Sequence, residues 1–361
     1  MKYRFLIIAL FISFLGIPSL NKGIAQTDAP SDMAVPTYIV ASNWPNIPAD
    51  LRIGTVSSVA VDEQDNVWIL HRPKTVPMDQ SELAAPPLIV FDSDGNFVKA
   101  WGGPGSEYEW PQNEHGLHID NKGFVWVTGN SCSNLDESLG SNSDDQILKF
   151  TQEGEFILQI GRAGQNSGNV DRLNVNRSAD LSVFPQTSEL FVADGYGNRR
   201  VIVFDSDTGA FKRQWGAFGE SPGTRSPCAS LEDIEWDSDQ FSIVHSIRVS
   251  NDGIVYVADR EHSRIQIFTL EGEFIEEFNG QGGRTGSLSF SPDERQQYLY
   301  VGEMDRGILI LNRQTLSLVT TLNAEGINGP NHHMAVDSNG NIYRTGLAGG
   351  ISKFEFSGMS Q

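Results

Sequence analysis

Three segments of this chain repeat one pattern: HGLHIDNKGFVWVTG from His115, HSIRVSNDGIVYVAD from His245 and HHMAVDSNGNIYRTG from His332. Each reads as a strand, a glycine-containing turn and a second strand. A further pair of strands follows in the same order, as in ILKFTQEGEFILQIG from Ile147, VIVFDSDTGAFKRQWG from Val201 and IQIFTLEGEFIEEFNG from Ile265; LIVFDSDGNFVKAWG from Leu88 is a fourth copy. Six four-stranded units result, starting near Ser57, His115, Ser178, His245, Ser287 and His332. Arranged radially, such units predict an all-β, six-bladed β-propeller with antiparallel blades. The last unit is short at its C-terminal end, and Tyr38–Ser42 is the segment expected to supply its outer strand and close the ring. The unit from Ser287 is the hardest to delimit.

Lys2 and Arg4 precede the apolar run from Phe5 to Ile17, and Gly23-Ile24-Ala25 offers a small-residue cleavage site, which reads as a secretory signal peptide. The expected organisation is a signal over 1–25, a linker over 26–35 and one propeller over 36–361. The product is an exported protein, periplasmic or secreted, with no membrane span once the signal is removed. Its 46 acidic against 26 basic residues give a formal charge of −20, a field that repels phosphate backbones and argues against nucleic acid as a partner. In an oxidising compartment Cys132 and Cys228 either pair or remain two free thiols, and spacing leaves both open.

His115, His245 and His332 each stand 8 residues before a turn glycine (Gly123, Gly253, Gly340) and 11 before an aromatic residue (Trp126, Tyr256, Tyr343). The shared position is the start of the innermost strand, on the second, fourth and sixth units, about 120° apart around a propeller axis. Three imidazoles converging there suit a catalytic zinc site with an open fourth position. Any one of these histidines reads more simply as a packed channel residue; three in one register, among 7 in the chain, favour the metal. His118 and His333 fall outside the register and read as supporting or structural residues, and His71 and His262 as loop residues. Residues just past second strands share the metal's face: Arg72, Arg260 and Tyr196. Two guanidiniums suit a substrate carboxylate, and a phenol among cations suits a general base. Taken singly, each arginine reads more simply as a structural ion pair with a neighbouring blade, and Tyr196 fits a stacked rim position equally well.

The segments VADGYGNRRVIVF, VADREHSRIQIF, EHGLHIDNKGFVWVTG, VHSI and ILHRP resemble the NHL-repeat propeller of the peptidyl-α-hydroxyglycine α-amidating lyases (peptidylamidoglycolate lyases) over most of the mature chain. The resemblance implies zinc on the axis held by His115, His245 and His332, a catalytic tyrosine at Tyr196 and substrate-binding arginines at Arg72 and Arg260. It also marks departures. The family's Met-Pro-His-Asp is here Pro330-Asn331-His332-His333, which leaves a structural calcium without its expected aspartate, and Gly197 replaces a family cysteine. The leading expectation is a zinc-dependent lyase that splits an α-hydroxyglycine-like N–C bond to an amide and glyoxylate, acting on a small carboxylate-bearing substrate or a peptide C-terminus. The alternatives are a metal-dependent lactonase or esterase-type hydrolase, and a non-catalytic NHL propeller acting as a binding module.

Overall fold

The computed structural model describes residues 33–132, 142–224, 237–323, 331–347 and 350–360. Strands among these form six four-stranded antiparallel sheets, and helix is confined to short 3-10 turns such as Pro73–Thr75 and Met78–Leu83. This is a six-bladed β-propeller. The inner strands are Thr55–Val61, Glu114–Ile119, Asp180–Phe184, Val244–Val249, Thr285–Phe290 and Met334–Val336 for blades 1 to 6, and each contacts the inner strands of the blades on either side. Blade 6 takes its outer strand, Val35–Val40, from the start of the described chain; it pairs with Gly350–Ser360, Val35 lying opposite Ser360. The unit that sequence delimits least well, blade 5, is a regular sheet.

The core lies between blades. Trp68, Leu70 and Val90 of blade 1 pack on Leu117, Val127 and Phe150 of blade 2, and Phe191 and Val203 of blade 3 on Ile247 and Val257 of blade 4. The alternation of β-branched and aromatic residues thus feeds both faces of every sheet, which is why the strands read as nearly continuous apolar runs. The turns that carry the repeat have a common construction. Asp120 accepts hydrogen bonds from the backbone N–H groups of Lys122 and Phe124, and its other oxygen takes the indole N–H of Trp126 at 2.8 Å. Asp62 does the same for Trp68 at 2.9 Å, and Asp337 takes the hydroxyl of Tyr343 at 3.0 Å. Trp68, Trp126 and Tyr343 are therefore buried wall residues whose polar atom is tied to their own turn, whereas the Tyr256 hydroxyl accepts from Arg313 at 3.3 Å.

Cys132 is buried and disulfide-bonded, whereas Cys228 and residues 1–25, expected to form a signal peptide, lie outside the described residues. His71 requires a correction. It is not a loop residue but part of the second strand of blade 1, Val67–Arg72, and is wholly buried. Its Nδ1 accepts from the N–H of Gly54 at 3.1 Å, so Nε2 carries the proton and donates to the carbonyl of Pro86 at 2.9 Å. Burial holds its pKa down to about 4, against the backbone hydrogen bonds that oppose the shift. The unfolded chain takes up this proton near pH 6.5 and the folded chain only near 4, so the stabilisation is complete above about pH 6.5 and disappears on acidification. Relative to His71→Asn, wild type should lose about 2 kcal/mol of stability between pH 7.5 and 5 in urea unfolding. A pH-independent difference between the two proteins would contradict this assignment.

Candidate metal centre

His115 and His245 stand at irregularities of the inner strands. Pairing of blade 2 jumps from Glu114 to Leu117, and that of blade 4 from Val244 to Ser246, so each histidine occupies a bulge where the ladder is interrupted. A bulge re-aims a side chain, here toward the axis. His332 precedes the short strand Met334–Val336 and is fixed by its N–H donating to the carbonyl of Thr345 at 2.8 Å.

The odd-numbered blades orient these rings. Nδ1 of His115 bonds to the carbonyl of Ala179 at 2.8 Å, that of His245 to Gly286 at 2.6 Å and that of His332 to Ser57 at 2.7 Å. A carbonyl only accepts, so each Nδ1 carries the proton and each Nε2 presents a lone pair. All three rings are buried and held neutral. Burial is the main cause of their strongly lowered pKa; the neighbouring histidines add to it for His115, and Arg260 for His245. Ring centres of His115, His245 and His332 lie 4.7 to 5.3 Å apart. With His333 they form a group whose ligating atoms all fall within 4.8 Å of one another. Neutral, pre-oriented imidazoles of this kind fit a divalent ion of borderline softness, and their Nδ1 anchors are backbone carbonyls.

Tyr196 stands beside this cluster. Its hydroxyl is 3.0 Å from Nε2 of His115 and 3.1 Å from Nε2 of His245, and it accepts a hydrogen bond from Arg260 at 2.9 Å. Neither flanking position tolerates a side chain: a Cβ on Gly195 would lie 2.1 Å from the carbonyl oxygen of Val244, and one on Gly197 2.0 Å from Oδ1 of Asn176. Gly195 lets the turn press against blade 4 at Val244, and Gly197 lets it close on Asn176, just ahead of blade 3. Arg260 is buried and paired with Glu261 at 2.6 Å. Arg72 is half-buried, with its Nε donating to the carbonyl of Glu114 at 2.9 Å. Burial lowers its pKa, while Tyr196 and Glu114 oppose the shift.

Two residues here escaped sequence analysis. Arg177, buried and at φ 60°, lies over the Tyr196 ring at 5.7 Å. Glu114 is buried with its carboxylate on the indole N–H of Trp110 at 2.9 Å, and burial raises its pKa to about 7. Both precede the inward register position, Glu114 before His115 and Arg177 before Ser178, a signal the register could have supplied. His118 accepts from the N–H of Val183 at 3.2 Å, and burial lowers its pKa to about 3. His262 lies in a turn with Nδ1 on Asp259 at 2.7 Å. Among the described residues the four histidines are the one group of three or more His, Cys, Asp or Glu side chains placed to share an ion, and no carboxylate belongs to it.

Comparison with known proteins identifies relatives of this chain. The NHL repeat model matches residues 241–268. The chain is 31% identical over 278 residues to peptidyl-glycine alpha-amidating monooxygenase B of Xenopus laevis, which covers 70% of this chain and 27% of that protein. It carries an NHL repeat and resembles the amidating enzymes. A probable peptidyl-alpha-hydroxyglycine alpha-amidating lyase of Caenorhabditis elegans is 26% identical over 230 residues, 60% of this chain and 56% of the relative. NHL repeat-containing protein 3 of Homo sapiens is 26% identical over 280 residues, 74% of this chain and 67% of the relative. The propeller thus spans about a quarter of the amidating monooxygenases it matches.

Replacing His115, His245 or His332 by Ala should lower bound zinc roughly tenfold or more in protein dialysed against one equivalent, because each removes a neutral ligand from a preformed set. Far-UV circular dichroism should be unchanged, since the sheets close through their own strands. Undiminished metal in all three variants would place the ion elsewhere.

Proposed function

We propose that this propeller is an exported zinc-dependent lyase that cleaves the N–C bond of an α-hydroxyglycine-like substrate, yielding an amide and glyoxylate. The observation that carries the reading is the position of the Tyr196 hydroxyl, within 3.1 Å of two inward imidazole nitrogens and hydrogen-bonded to Arg260. A bound zinc ion would supply Lewis acidity at the substrate hydroxyl. His115, His245 and His332 would hold it through Nε2.

The chain's own groups account for the remaining chemistry. With the imidazole lone pairs engaged, the Tyr196 oxygen is free to face the substrate hydroxyl and take its proton. The electron pair of the O–H bond becomes the aldehyde C=O, the C–N bond breaks, and the nitrogen leaves as the amide after receiving the proton of the Tyr196 hydroxyl, which the substrate's proton replaces. Arg72 and Arg260 hold the substrate carboxylate, which sets the carbinol carbon against the phenol. A small hydroxy acid amide or a peptide C-terminus presents this carboxylate. Export is inferred from the basic and apolar N-terminal segment, and among the described residues no helix is long and apolar enough to cross a membrane.

A lactonase reading has no carboxylate ligand set to support it among the described residues. A binding module remains the second reading, favoured by the match to NHL repeat-containing protein 3, whose name states no activity. Zinc-loaded protein given α-hydroxyhippurate should release glyoxylate and benzamide in equal amounts; stoichiometric zinc with no turnover of this compound or of a hydroxyglycine peptide would rule out the lyase.

Two substitutions separate the roles. Tyr196→Phe should slow kcat by roughly 10² to 10⁴ with little change in KM or zinc content, as expected for loss of a general base. Arg72→Lys keeps the charge but not the two-point grip, so it should raise KM at unchanged zinc content. Full turnover by Tyr196→Phe, or loss of zinc from Arg72→Lys, would contradict these placements.

A further inference from the structure

His333 has no part in the chemistry above, yet its surroundings are the least satisfied of the four imidazoles. It is wholly buried, and neither Nδ1 nor Nε2 has a hydrogen-bond partner among the described residues. A neutral imidazole carries one N–H and one lone pair, and each left unpartnered in the interior costs about 1–3 kcal/mol. The other buried rings do not share this condition: His71 is bonded at both nitrogens, and His115, His245 and His332 each rest Nδ1 on a carbonyl. Nor does the backbone leave His333 free to turn away. Its N–H donates to Oγ1 of Thr345 at 3.1 Å, and its carbonyl accepts from the Thr345 N–H at 2.8 Å.

The placement of the ring supplies the reason. His333 lies 5.4 Å from His115, 5.4 Å from His245 and 4.9 Å from His332 between ring centres. With the separations within the triad, all six distances among the four rings fall between 4.7 and 5.4 Å. Four imidazoles bound radially to one ion, with metal–nitrogen bonds of about 2.0–2.1 Å and ring centres about 1.1 Å farther out, stand about 5.2 Å apart at tetrahedral angles. The four rings therefore already have the spacing of a tetrahedral shell. A lone pair aimed at such an ion would engage one of the two orphaned nitrogens.

We propose that His333 is the fourth ligand: at rest the ion sits in a closed shell of four imidazoles, and its reactive position opens only when an incoming hydroxy acid displaces His333. The inference rests on the metal site of the proposed function but not on its lyase chemistry. Closed four-ligand shells are the mark of structural sites and open ones of catalytic sites, so a displaceable fourth histidine converts one into the other on substrate arrival. It keeps small anions and bulk water from the ion while the site is empty of substrate.

The test uses the wild-type protein loaded with one equivalent of zinc and, separately, of cobalt(II). X-ray absorption at the zinc edge should show four imidazole ligands, and the cobalt visible spectrum should be unmoved by millimolar azide. In His333→Ala, checked for folding by circular dichroism, azide should shift the cobalt spectrum, and chelator competition should show zinc affinity reduced roughly 10- to 100-fold or more. Three imidazoles plus a lighter ligand in wild type, a wild-type cobalt spectrum as responsive to azide as that of the variant, binding of two ions, or no bound metal would each overturn the proposal. The zinc-edge result does not depend on the variant folding. A four-imidazole shell in a protein that releases no glyoxylate would sink the lyase and leave His333 a ligand; turnover with a three-imidazole shell would do the reverse.

Discussion

Closing six twisted sheets into a ring sets the inner strand of each blade against the inner strands of the two blades beside it, and the metal centre follows from that constraint. The starts of six strands meet around one axis. Whatever side chains stand there must pack against their counterparts from other blades. In this chain the even-numbered blades contribute imidazoles, and the odd-numbered blades contribute the carbonyls of Ser57, Ala179 and Gly286 that orient them. A ring of alternating donors and acceptors is satisfied on its outer side and leaves its lone pairs pointing inward. Such a ring is prepared for a cation before any cation arrives, which reduces the reorganisation needed on binding.

The second layer of the centre follows from the direction of the strands. Inner and second strands are antiparallel, so the ends of the second strands return to the face where the histidines begin. Arg72 ends one such strand, and Tyr196 and Arg260 follow two others. Gly195 beside Tyr196 lets the turn approach blade 4 closely, and the guanidiniums of Arg177 and Arg260 lie 5.7 and 5.3 Å from its ring centre. In a strongly acidic protein this is a local concentration of positive charge, suited to a carboxylate.

Much of this was legible in the repeat. A period that places histidine, glycine and aromatic residue at fixed offsets identifies blades, their number and the position facing the axis, because strand alternation and blade order follow from spacing alone. His71 and His333 were not legible, for different reasons. His71 stands just before Arg72-Pro73, so it reads as a loop residue, but the strand runs on to Arg72 and the ring is sealed between Gly54 and Pro86. His333 sits one residue past the register, where alternation turns a side chain away from its neighbour; the irregular backbone before Met334 cancels the alternation and brings both rings to one cluster.

The sequence by itself determined the blade count, the antiparallel strand order and the alternate-blade register of three histidines, since all are properties of periodicity and short-range turn chemistry. Only the tertiary structure decided the tautomers, the joining of a fourth imidazole to the cluster and the approach of Arg177 to Tyr196. Those depend on carbonyls and side chains from other blades, and on bulges that move a residue out of its register. Periodicity records what a strand repeats; it carries no record of where a neighbouring blade interrupts it.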